Sequence, residues 1–244
     1  MKDFLKKILK ALPFAFTKNL RYDRLTERVI SKVCSPASNC ADVGCHKGEI
    51  LDLFLAAAPK GQHFGFEPIP FLFQNLKEKY AGLTNCHFFD VALSNMQGTS
   101  SFNYVLTNPS YSGLLKRTYD RPNEEDTQIT VRTEKLDEIW PADLQLDVLK
   151  IDVEGGELMV LEGARKTLIR CKPTVIFEHG LGASDVYGST PAQVFALFND
   201  CGLRIFLLEN FLSSGPCLGA EEFAKQFYER KNYYFVATGF ERFG

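Results

Sequence analysis

Short apolar runs in this chain repeatedly end in acids. Cys40-Ala-Asp42-Val leads into Gly44-Cys45-His46-Lys47-Gly48, and His63-Phe-Gly-Phe leads into Glu67-Pro68. Cys86-His-Phe-Phe leads into Asp90-Val91-Ala92, and Leu146 to Ile151 leads into Asp152-Val-Glu154-Gly-Gly. Thr174 to Phe177 leads into Glu178-His179-Gly180. A carboxylate at such a place can accept from the paired hydroxyls of a ribose, pair with a cationic ligand, or take a proton from a reacting hydroxyl. Asp152, Glu154, Glu178 and His179 are the candidates for that last task. Each has a plainer role beside it. Glu154 can cap the helix after Gly155-Gly156, since acids are favoured there. His179 can be a capping or core histidine, and Lys150 can simply pair with a neighbouring acid.

These acids need strands to carry them. Helical runs at 49–58, 71–80 and 157–169 alternate with the apolar runs, and further helices are expected at 191–201 and 221–228. Strands are expected at 203–208 and 232–238. Such alternation predicts an α/β fold with a parallel sheet and helices on both faces. Ligands then bind at the carboxyl ends of the strands. Within the first turn, Gly44 permits torsions and close backbone approach that a Cβ would forbid. Gly48 feeds a helix whose free N–H groups favour a polar ligand.

The type of ligand follows from three details. Glu67, 23 residues beyond Gly44, sits where a nucleotide-binding fold places its ribose carboxylate. The glycine pattern is Asp-x-Gly-x-x-x-Gly, without the third glycine of a dinucleotide fingerprint. Asp42 suits a cofactor bearing an ammonium and a sulfonium and would repel a pyrophosphate, and Asp90 can accept from an adenine amine. Together these favour S-adenosylmethionine over NAD.

The bulk composition is compatible with one domain over 1–244, with a helical extension at 1–36 and a core over 37–240. The chain has 244 residues, 45% hydrophobic with 21 Phe, and a net charge of -2. That balance gives no support to a general nucleic-acid partner. Seven scattered cysteines, without a Cys-x-x-Cys pair, read as reduced thiols in a cytoplasmic protein. Cys34, Cys40, Cys45 and His46 match no zinc spacing, and no metal is expected. Residues 1–16 read as a basic amphipathic helix, with Phe4, Leu5, Ile8, Leu9 and Leu12 opposite Lys2, Lys6, Lys7 and Lys10. Its apolar run is broken by lysines, so it is neither a signal-peptide core nor a membrane span; it is either a packing helix or a weak contact to a membrane surface. Between about 99 and 135 two β-type stretches frame Asn108-Pro109-Ser110-Tyr111-Ser112, an inserted hairpin placed to shape a substrate site.

Several of these strings occur together in order. They are Asp42-Val-Gly-Cys-His-Lys-Gly48, Phe66-Glu67-Pro68, Val91-Ala92-Leu93-Ser94, Leu136-Asp137-Glu138, Leu149-Lys-Ile-Asp-Val-Glu-Gly155 with Glu157, and Glu162-Gly163-Ala164. The set resembles the FkbM family of S-adenosylmethionine-dependent methyltransferases over about residues 38–210. Family members usually carry Ala-Asn where this chain has Cys45-His46. The resemblance implies a doubly wound, seven-stranded Rossmann-like sheet and methyl transfer to a hydroxyl of a sugar, glycan or natural product. It implies that Asp42, Gly44, Cys45, His46, Lys47 and Gly48 hold the methionine part. Glu67 and Pro68 then hold the ribose, and Asp90, Val91 and Ala92 flank the adenine. Asp152, Glu154 and Glu178 line the acceptor side, with Tyr111 and Ser112 near the acceptor.

Asn108-Pro109-Ser110-Tyr111 also resembles the motif with which adenine-N6 methyltransferases hold a flipped base. In that class it follows the fourth strand, a place taken here by Asp152-Val-Glu-Gly, so the string reads as a turn. Two other classes remain open at the level of sequence. One is a nicotinamide oxidoreductase on a similar sheet. The other is a membrane-peripheral binding protein with a degenerate cofactor cleft. The acceptor and the oligomeric state are not legible.

Overall fold

The computed structural model describes residues 17–119 and 123–239. The expected amphipathic helix at 1–16 lies outside the described residues. The first described helix, α1 (Lys18–Val33), is capped by Thr17, whose side chain accepts from the Leu20 N–H at 3.2 Å. Tyr22, Leu25, Thr26, Val29 and Ile30 recur at helical spacing and form its buried face.

Strand and helix then alternate as their patterns require: β1 (Cys40–Val43), α2 (Glu49–Ala57), β2 (His63–Phe66), α3 (Pro70–Lys79) and β3 (Cys86–Phe89). After a second small sheet come β7 (Val148–Ile151), β8 (Thr174–Glu178), α7 (Pro191–Asp200), β9 (Leu203–Leu207), α8 (Leu208–Leu212), α9 (Ala220–Tyr228) and β10 (Tyr234–Gly239). The main sheet has seven strands in the order β3-β2-β1-β7-β8-β10-β9. All its pairings are parallel except those of β10, which runs antiparallel between β8 and β9. The order turns back between β1 and β7, which is where such sheets open a crevice.

The insertion is richer than a hairpin. β4 (Val91–Leu93) leaves the line of β3 and pairs parallel with β6 (Asp126–Glu134), which pairs antiparallel with β5 (Gly98–Val105). These three strands pack their own apolar group, Ala92, Phe102 and Val131, against Ile69 and Leu72 around α3. The short helix α4 (Leu136–Ile139) returns the chain to the main sheet.

The expected single helix over 157–169 is two helices, α5 (Glu157–Glu162) and α6 (Arg165–Cys171). The break falls at Gly163, where a Cβ would stand 2.1 Å from the Ser94 carbonyl oxygen, so backbone contact with the β4 turn decides the residue. Asp137 then restarts the helix by accepting from the N–H groups of Lys166 and Thr167 at 2.9 and 2.8 Å.

The two faces of the main sheet bury different groups. Ala41, Val43, Leu149, Ile151, Val175 and Phe177 face the larger core with α5, α6, α7 and α9. Cys40, Val148, Ile176 and Val236 face α1, α2 and α8. No described helix is long and apolar enough to cross a membrane.

Candidate active site

Register and alternation bring a set of polar side chains onto the face that α1 covers. Asp42 stands in register with Lys150, and Asp152 follows Lys150 by two residues on the same face. Glu178 lies on that face of β8, and Tyr234 of β10 is its register partner. Lys150 Nζ donates to Asp152 Oδ2 at 2.9 Å, and the Tyr234 hydroxyl donates to the same oxygen. Burial alone would raise the Asp152 carboxyl. Lys150, the Tyr234 hydroxyl and a hydrogen bond with Glu178 overcome it and hold Asp152 below the usual carboxylate range. Burial, then the charges of Asp152, Glu154 and Glu157, drive Glu178 the other way, well above that range. The pair therefore carries one proton near neutrality, on Glu178. Lys150 stays charged: burial would lower it, and Asp152 and Asp42 more than compensate.

Asp42 is the anomaly of this set. It is 1% exposed, and neither carboxylate oxygen has a hydrogen-bond partner among the described residues. Burial raises it to about 7, partly opposed by Lys150. An unsatisfied buried carboxylate is costly and calls for a partner. The loop beyond it is tightly built. Gly44 has φ +81, and a Cβ there would sit 2.0 Å from the Asp152 carbonyl oxygen, so contact between the β1 and β7 ends requires glycine. Gly48 has φ +79, with the Tyr80 hydroxyl 2.4 Å from where its Cβ would be. Both glycines thus answer first to protein packing. The Cys45 thiol is buried and points to the carbonyls of Asp42 and Phe66, at 3.2 and 3.4 Å. Lys47 is exposed.

Glu67 is 4% exposed and shapes the loop as well as closing β2. Its Oε2 accepts from the His46 N–H at 2.8 Å and its Oε1 from the Ile69 N–H at 2.9 Å. That first bond holds His46 in its left-handed conformation, φ 49. Burial raises the carboxyl to about 7 against these two donors. Pro68 is half-buried beside it. Asp90 is exposed and faces Arg132 at 3.5 Å, while Val91 and Ala92 place their side chains in buried clusters.

The acceptor-side residues divide. Glu154 has φ 59 and forms an ion pair with Arg117 of the insertion. Burial and the nearby Asp152 raise its carboxyl to about 8, against the pull of Arg117. The Arg117 guanidinium lies 4.7 Å from the centre of the Tyr111 ring, so Tyr111 does border this acid. Ser112 is buried, and its Oγ accepts from the Val105 N–H at 2.9 Å; it closes the loop against β5 instead of facing an acceptor. The Tyr187 hydroxyl accepts from the Leu115 N–H at 2.9 Å and ties the insertion to the far side of the cleft. Glu157 is buried, and its Oε1 accepts from the N–H groups of Val153 and Gly155 at 3.1 and 3.2 Å, fixing the turn between them.

His179 is not brought to these acids. Adjacent strand residues point to opposite faces, so Glu178 turns toward α1 and His179 turns toward α9. Its ring is 1% exposed, stacked 5.6 Å from Phe223 and 4.6 Å from Phe227. Burial lowers it to about 4, and neither ring nitrogen has a partner among the described residues. A core position replaces the expectation of a base.

Tyr234 and Arg117, which sequence reasoning passed over, complete the site. Tyr187 ties it to the insertion, and Lys150 stands between two acids instead of beside one. The period-two alternation of β7 was a signal for Lys150, since it puts Lys150 and Asp152 on one face. Nothing local signals Tyr234.

The family model for the FkbM methyltransferase domain matches residues 42–205, which span β1 through β9. The chain belongs to the FkbM methyltransferase family. Over 174 residues it is 28% identical to the 2-O-methyltransferase NoeI of Sinorhizobium fredii (strain NBRC 101917 / NGR234), covering 64% of this chain and 68% of that protein. Its fold is similar to that of methyltransferase FkbM from Methylobacillus flagellatus KT, with TM-score 0.50 and 15% identity over 84% of this chain. This chain spans 44% of the length of that structure. FkbM membership and the Rossmann-like fold imply the use of S-adenosylmethionine. They do not favour the nicotinamide or degenerate-cleft alternatives.

Proposed function

We propose that this FkbM chain transfers a methyl group from S-adenosylmethionine to a hydroxyl of a small molecule or glycan, in the cytoplasm and without a nucleic-acid partner. The observation that carries the cofactor half is Asp42, a buried carboxylate with no hydrogen-bond partner among the described residues, at the head of the Gly44–Gly48 loop. A ligand ammonium satisfies it, and Asp42 would hold the methionine part with the loop backbone. Glu67 and Pro68 would face the ribose, and Asp90 to Ala92 the adenine. The cofactor, when bound, supplies a methyl group on a sulfonium; transfer to oxygen leaves a neutral thioether and frees the hydroxyl proton.

Asp152 is the residue suited to receive that proton. It is held ionised, whereas the Glu178 carboxyl is raised well above the usual range and Glu154 is already paired with Arg117. Glu178, protonated, donates to Asp152 and helps to keep it ionised. Arg117 and Tyr111 bound the acceptor side next to Glu154. Oxygen as the methylated atom is supported by the acid-lined floor, which suits a hydroxyl that must lose a proton, and by the likeness to a 2-O-methyltransferase.

The test is incubation with methyl-tritiated S-adenosylmethionine and pooled hydroxyl-bearing acceptors. The expected product is labelled in a form that survives mild alkali, as an ether does and a methyl ester does not. Label lost to alkali, or label found on nitrogen, would overturn the assignment to a hydroxyl.

A further inference from the structure

The match to the FkbM family ends at residue 205, and the site does not. Tyr234 lies on β10, which enters the sheet antiparallel beside β8 and so delivers its first residue to the carboxyl end of the parallel strands. Its hydroxyl and Lys150 Nζ both donate to Asp152 Oδ2. The ring is itself held. Lys150 Nζ lies 5.5 Å from its centroid. Tyr22 of α1 stacks on it at 5.3 Å and 25°. The Tyr22 hydroxyl donates to Asn232 Oδ1 at 2.8 Å, so α1 is tied to the segment that carries Tyr234.

We propose that Tyr234 is a positioning residue for methyl transfer, holding Asp152 in place as a carboxylate, and that α1 keeps Tyr234 in place through Tyr22. The proposal rests on the reading of Asp152 as proton acceptor. The groups facing Asp152 explain why a donor is needed. Asp42 from β1, Glu178 from β8, Glu154 from the turn and Glu157 from α5 are all acids, and Lys150 from β7 is the countercharge. In such company a carboxylate tends to take a proton, and a hydroxyl donating to it favours the ionised form. Glu209 of α8 bears on Tyr22, at the outer end of the chain of contacts. Neither tyrosine falls within the matched segment, so this support belongs to the chain's flanks.

Tyr234→Phe keeps the ring, its stack and its contact with Lys150, and removes only the donor. The full chain, labelled with 13C at the aspartate side-chain carboxyls, is titrated downward from about pH 8, with Asp152 assigned by the signal lost in Asp152→Asn. In the wild type the Asp152 midpoint should lie below the usual carboxylate range. In Tyr234→Phe the midpoint should move up, because a donor to the ionised form is gone. Tyr22→Leu should move it the same way by less, and carries the test if the Phe variant does not fold. S-adenosylhomocysteine affinity, measured by calorimetry, should stay within about threefold in Tyr234→Phe. Identical Asp152 titration in both proteins would overturn the proposal. So would a loss of affinity above about tenfold, which would make Tyr234 a cofactor contact. If the wild type itself fails to bind S-adenosylhomocysteine, the methyltransferase reading fails, while the titration still decides whether Tyr234 orients Asp152.

Discussion

On the face of the sheet beneath α1, two residues along each strand change the chemistry of the surface. Cys40, Val148, Ile176 and Val236 join Tyr22, Val29 and Leu51 in a sealed apolar cluster. Asp42, Lys150, Asp152, Glu178 and Tyr234 continue the same strands on the same face and are all polar. The strand ends toward the amino side gain from burial at roughly 25 cal/mol per Å². The ends toward the carboxyl side give up solvation of several charges and recover only part of it through Lys150 and Tyr234. A fold selected for stability alone would continue the apolar surface. The interruption marks where a polar ligand is expected to complete the structure.

Among single substitutions, removing the Lys150 countercharge should have the largest effect. Lys150→Met leaves buried Asp42 and half-buried Asp152 without the nearby cation and should cost about 3–5 kcal/mol in urea unfolding. A cost near 1 kcal/mol would mean that the acids are better solvated than their burial indicates.

Changing pH sharpens the same contrast without a mutation. Burial raises Asp42, Glu67 and Glu157 to about 7 and Glu154 to about 8. These folded values lie above the unfolded ones, so the stability they contribute is whole below the unfolded values and is lost as pH rises through 7 to 8. Asp152 and Lys150 stay charged across that window and do not enter the difference. The ligand-free chain should be more stable near pH 5.5 than near pH 8.5, by several kcal/mol summed over these groups. A rise in stability over that interval would contradict the account.

Asp42→Asn tests the sign at a single position. Removing a buried charge that no hydrogen bond satisfies should stabilise the ligand-free chain by about 1–2 kcal/mol near pH 8 and flatten its pH dependence. Destabilisation of similar size would show that Asp42 has a structural partner.

The smallest effect belongs on the opposite face. His179→Leu replaces a neutral ring among Phe223 and Phe227, and should change stability by no more than about 1 kcal/mol. It should leave S-adenosylhomocysteine affinity unchanged. A loss of binding would return His179 to the site.

Much of this contrast was legible in the sequence. The strand-end acids, the Gly44–Gly48 loop and the order of elements follow from local pattern, because apolar period and turn residues act over a few positions. The fate of His179 was legible too, since alternation along β8 sends Glu178 and His179 to opposite faces. Tyr234 was not, because its place depends on β10 inserting antiparallel between β8 and β9, a pairing between segments far apart in the chain. The departure of β4 from the main sheet, and the approach of Arg117 to Glu154, are likewise long-range. Ser112 misled because a hydroxyl in a loop reads the same whether it closes the loop or faces a ligand.

The most direct test of the central claim is calorimetric titration of S-adenosylhomocysteine into the wild type and Asp42→Asn. The account predicts binding to the wild type that weakens by about 2–4 kcal/mol, some 30- to 1000-fold, in a variant that remains folded. Equal affinity in both proteins would contradict the assignment of Asp42 to the methionine ammonium, and no binding to folded wild type would contradict the cofactor site itself.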